Sequence, residues 1–197
     1  LLGFGSFEGV KKAKGKLYDY LAEHGGSIFL NADDRDLVAM SAERKGLNVI
    51  DYGIEYWGAM VLPSDAAHPF VRMAVPESSE NLLAGAYNAT NIAAAIAVGL
   101  HFGVSLEDAI QAVSEYIPKN NRSQLEKTAR NILIEDAYNA NPTSMAAALD
   151  NLASVQAPLK AAMLGDMREL GEDSVAEHVA ILNKLVSMDL DLVCLVG

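Results

Sequence analysis

Asp136, Tyr138, Asn139 and Asn141 fall within one six-residue stretch, between the apolar run Ile132-Leu133-Ile134 and Pro142. An acid, a phenol and two amides in so short a span can hydrogen-bond a ligand rich in hydroxyl or phosphate groups. Three apolar residues in a row read as a strand buried on both faces. Pro142 suits the first position of a helix, with Asn141 as its N-cap. The stretch predicts strand, loop and helix, and in an open parallel sheet the loop at a strand's carboxyl end is where ligands bind. The adjoining helix N-terminus favours an anion. The same residues also make ordinary turns and caps, and spacing alone leaves both readings open.

Lys14 is the next candidate. Residues 10–21 predict a helix with Val10, Ala13, Leu17 and Leu21 on one stripe. Lys11, Lys12 and Lys16 point away from that stripe, whereas Lys14 lies on it. A lysine there snorkels, finds a partner or loses its charge. A neutral amine can add carbon dioxide, and the carbamate so formed is a carboxylate-like metal ligand. Asn88 and Asn91, three residues apart, stand at the mouth of an alanine-rich helix predicted from Ile92 to about Phe102. They read as helix caps or as ligand contacts. Arg122 lies in the polar run Lys119–Asn131, near the start of which a domain boundary is expected. It could reach a phosphate held by the other domain, or be a solvated linker arginine. Gly165–Gly171 again sets carboxylates after an apolar strand, Ala161–Leu164.

Around these groups the chain predicts a β-α-β rhythm. Strands are expected at Ile28–Leu30 and Val49–Ile50, with a helix capped by Asp33 and running to about Arg44 between them. Residues 52–80 predict short antiparallel strands; His68 within them carries no chemistry. Ser105 and Asp108 open a further helix, with Leu106, Ala109, Ile110 and Val113 as its buried stripe. In the last part, helices carry Met145, Leu149 and Leu152, then Val175, Val179, Leu182 and Val186. Glu177 and His178 fall near the start of the second. Right-handed crossovers would set the strands from Ile132, Ala161 and Leu190 side by side, with Asp136 and Asp166 along one rim.

The bulk figures exclude some classes. The chain has 197 residues, enough for two small domains, and 51% hydrophobic residues can form a core. A net charge of -11 argues against nucleic-acid binding. The single cysteine, Cys194, forms no intrachain disulfide. No apolar run is long enough to span a bilayer. Gly3, Gly5 and Gly9 miss the dinucleotide spacing. The stretch Gly9–Lys16 misses the phosphate-cradling P-loop: five residues separate Gly9 from Gly15, and Leu17 follows Lys16. A chain that starts without Met and ends on a strand is expected to be a piece of a longer protein.

Gly3–Lys16, the Gly-x-Tyr-Asn-x-x-Asn at 85–91, Asp136–Met145 and Gly165–Gly171 together resemble the Mur ligase family of peptidoglycan synthesis. The resemblance implies an α/β chain. Residues 1–121 would be the latter half of the central ATPase domain, without its P-loop, and 122–197 the first part of a Rossmann-like domain with parallel strands. The loop Asp-Ala-Tyr-Asn-Ala-Asn-Pro-Thr-Ser-Met is similar to that of the branch joining D-alanyl-D-alanine to UDP-N-acetylmuramoyl-tripeptide. By the same resemblance Lys14 is the carbamylated lysine that helps hold Mg2+, and Asn91 contacts adenine with Asn88 its neighbour. Arg122 faces the phosphates of ATP, and Asp136 holds the ribose. Tyr138, Asn139 and Asn141 lie near ATP or the dipeptide. The family implies a cytoplasmic monomer, and this piece alone would not catalyse. A non-catalytic nucleotide-binding module of the same fold, or a sister ligase with another amino substrate, stays open as an alternative.

Overall fold

The computed structural model describes residue 4 and residues 6–62, 70–74, 78–84, 88–117 and 124–197. Arg122 and His68 lie outside the described residues. The elements in chain order are α1 (Phe7–His24), β1 (Ser27–Asn31), α2 (Arg35–Ala42), β2 (Asn48–Tyr52), β3 (Met60–Leu62), β4 (Phe70–Ala74), β5 (Ser78–Ala84), α3 (Asn88–His101), α4 (Leu106–Glu115), β6 (Gln124–Lys127), β7 (Ile132–Glu135), α5 (Pro142–Ser154), β8 (Ala161–Gly165), α6 (Ser174–Val186) and β9 (Leu192–Val196). The α/β class and the parallel pairs expected from the sequence are present. The chain divides into two compact units, Leu1–Val61 with Met73–Ser79 and Ala89–Glu115, and Leu62–Arg72 with Glu80–Asn88 and Tyr116–Gly197.

In the first unit β1 and β2 pair in parallel, Ile28 against Val49 and Leu30 against Asp51. Ser6 caps α1 by accepting the Gly9 N–H, and Gly25, at φ 72°, closes it in the left-handed conformation that glycine adopts without strain. The buried face of α1 differs from the stripe read in the sequence. Gly15 is the buried residue of the helix, and an added Cβ there would stand 2.6 Å from the Arg44 guanidinium of the segment after α2. Val10, Ala13 and Leu21 of that stripe are half-buried, and the close approach at Gly15 turns the packed face away from Leu17. Leu17 is left 58% exposed, and Lys11 turns inward to bridge Glu8 and Asp36.

The cap of α2 is Asp34, not Asp33: Asp34 accepts the N–H groups of Asp36 and Leu37. Asp33 accepts instead from Ile54, Glu55 and Tyr56, just beyond β2. Its carboxylate so satisfies three backbone donors that no strand or helix partner takes. β3, β4 and β5, which all begin within residues 52–80, form a three-stranded sheet in that order.

In the second unit the polar run read as linker contains a strand. β6 pairs antiparallel with β7, Leu125 against Ile134. β7 is accordingly not buried on both faces: Ile132 and Leu133 are exposed. β8 and β9 form a separate parallel pair, Ala162 against Val193 and Leu164 against Leu195, so β7 joins no common ladder with them. Leu149, Ala162, Met167, Ile181 and Leu185 make the core beneath that pair. α6 therefore faces inward with Ile181 and Leu185. The stripe Val175, Val179, Leu182 and Val186 is exposed, because the helix turns the face carrying Ile181 and Leu185 to the core instead.

Candidate functional site

The loop from β7 to α5 holds the densest set of candidate groups. Asn141 caps α5 as its sequence predicts: Oδ1 accepts the Ser144 N–H at 2.9 Å, and Ser144 Oγ accepts the Asn141 N–H at 3.2 Å. Pro142 stands at the helix start, where its missing N–H costs nothing. This reciprocal cap fixes the direction in which the loop leaves the helix. It also commits the Asn141 carbonyl oxygen to the backbone. Asp136, Tyr138 and Asn139 are exposed on the same loop, Tyr138 at 67%. The structure brings these four residues together along one short run of chain.

Asn88 and Asn91 occupy the first turn of α3, so their side chains are neighbours on one helix face. They differ in setting: Asn88 is buried and Asn91 is exposed. Behind them Ile92, Ala93, Ile96 and Ala97 are buried, which anchors the turn.

Lys14 lies exposed on α1, outside the buried face formed around Gly15. The sequence argument for it assumed burial on an apolar stripe, and that burial is absent. Its neighbour Lys11 is the tethered lysine of this helix, 2.5 Å from Glu8 and 3.1 Å from Asp36. Hydrogen bonds to Glu8 and then Asp36 raise its pKa. Tyr18 and Tyr52 are also raised, first by burial and second by the Asp34 carboxylate. Among the described residues no group of three or more His, Cys, Asp or Glu could hold a metal ion.

In the loop after β8, whose carboxylates the sequence singled out, His178 is a partner to which the sequence reading gave no role. The Met167 N–H donates to His178 Nε2 at 3.1 Å, and Asp166 Oδ1 lies 3.7 Å from the same nitrogen. Glu169 holds φ 64°, the left-handed region that non-glycine residues seldom occupy. Asp166, Met167, His178, Leu195 and Gly197 line one cleft at the carboxyl end of β8 and β9. The available signal was a histidine at 178 in register with Ile181 and Leu185. A polar group on an inward stripe has to be satisfied.

Two family sequence models match the chain: the Mur ligase middle domain over residues 2–99, and the Mur ligase glutamate ligase domain over 121–197. The chain belongs to the Mur ligase family. This Mur ligase chain is 33% identical over 209 residues to a UDP-N-acetylmuramoyl-tripeptide–D-alanyl-D-alanine ligase of Mycobacterium bovis, covering 98% of this chain and 40% of that protein. MurF from Acinetobacter baumannii superposes with a TM-score of 0.79 at 27% identity, over 98% of this chain and 43% of the other. The MurF ligase from Thermotoga maritima, determined in complex with ADP, gives a TM-score of 0.80 at 18% identity over 98% and 49%, a likeness of fold. The chain thus spans less than half the length of these relatives. No helix among the described residues is long and apolar enough to cross a membrane.

Proposed function

We propose that this chain is part of the ATP-dependent ligase that joins D-alanyl-D-alanine to UDP-N-acetylmuramoyl-tripeptide in the cytoplasm, a step of cell-wall peptidoglycan synthesis. The carrying observation is the 33% identity to such a ligase along 98% of the chain. In this reading 1–121 belongs to the central ATPase domain and 122–197 to the Rossmann-like domain. The ligase works as a monomer and binds no nucleic acid.

The tripeptide carboxylate oxygen attacks the γ-phosphorus of ATP, and ADP leaves. The dipeptide amine then attacks the acyl carbon through a tetrahedral oxyanion, phosphate leaves and the amine loses its proton. The residues fit this chemistry by type. Asp136 offers two acceptor oxygens to the ribose hydroxyls, and the exposed Tyr138 and Asn139 extend the same polar surface. Asn141, its oxygen held in the cap, contributes its amide group. Asn91, exposed at the start of α3, reads the adenine edge, and buried Asn88 supports that turn. Arg122 supplies charge to the phosphates. Lys14, given this role by the family resemblance, would as its carbamate offer magnesium one carboxylate-like ligand, and the ion would offset the charge of the phosphates. The ADP bound by the Thermotoga maritima relative supports a nucleotide site in this fold.

The test is an acceptor panel with the full-length protein, ATP and UDP-N-acetylmuramoyl-tripeptide. Mass spectrometry should find the pentapeptide product with D-alanyl-D-alanine and none with L-alanine or D-glutamate. Product with a single amino acid in place of the dipeptide would assign a sister ligase, and no product with any amine would favour a non-catalytic module.

A further inference from the structure

We draw no further inference here: the strongest candidate, the exposed apolar stripe Val175, Val179, Leu182 and Val186 on the outer face of α6, carries nothing because nothing in the structure shows what covers it.

Discussion

Asp33 accepts the backbone N–H of Ile54 at 2.6 Å, and the same carboxylate takes the N–H groups of Glu55 and Tyr56. One side chain after β1 thereby organises the chain after β2. Gly53 permits it, since an added Cβ would lie 2.5 Å from Asp33 Oδ1. Removing the carboxylate strands three donors at once. Asp33→Ala should cost about 2–3 kcal/mol, with Asp33→Asn intermediate, measured as the shift of the urea unfolding midpoint. A change no larger than that of a neutral surface substitution would show that solvent satisfies these donors equally well.

The first unit should weaken at alkaline pH. Lys11 is raised from 10.5 by its two carboxylate partners, and Tyr18 and Tyr52 are raised from 10.0 chiefly by burial. A group whose folded pKa exceeds its unfolded value binds its proton more tightly when folded. Its contribution is complete below the unfolded value and is lost as pH climbs through the folded one. The melting temperature should hold to about pH 10 and then fall. Tyr18→Phe should flatten that fall; an identical alkaline limb would assign the loss elsewhere.

The cap on α5 separates two uses of Asn141. Asn141→Ala should lose about 1 kcal/mol of stability, and Asn141→Ser should recover most of it by restoring an acceptor to the Ser144 N–H. Thermal melts of the 197-residue chain would read this. If Asn141→Ser regains stability while the full-length protein stays impaired in turnover, the amide has a ligand role beyond the cap. Full recovery of both would confine it to the cap.

Asp136 is exposed on its loop, so replacing it removes a ligand group and little packing. Asp136→Ala in the full-length protein should raise the KM for ATP roughly tenfold, the worth of about one charge-assisted hydrogen bond, with an unchanged circular dichroism spectrum. Equal ATP kinetics in variant and wild type would remove Asp136 from the nucleotide site.

Much of the fold was legible because local chemistry decided it. Asn141-Pro142 marked the start of α5, and Ser105 with Asp108 marked that of α4, where Ser105 Oγ accepts the Asp108 N–H at 3.1 Å. Where packing chose between rival faces, the sequence misled. On α1 a glycine at 15 outweighed the visible apolar stripe, because a missing side chain lets Arg44 approach. On α6 the valine stripe was more regular than Ile181 and Leu185, yet the latter bury more surface, and His178 disguised their register. β6 was hidden in a polar run because a four-residue strand with only Gln124 and Leu125 half-buried shows no apolar alternation. The candidate groups at 136–141 were legible from residue type alone, since loop and cap chemistry are local. His178 was not, because Met167, whose N–H its Nε2 accepts, reaches it only once the loop after β8 folds back on α6.

The acyl phosphate itself offers the most direct test. The full-length protein would be given ATP, D-alanyl-D-alanine and a tripeptide substrate whose terminal carboxylate carries oxygen-18. The carboxylate oxygen that attacks phosphorus must leave with the phosphate, so one labelled oxygen per turnover should appear in inorganic phosphate. Product formed with unlabelled phosphate, or ATP hydrolysed without product, would contradict the account.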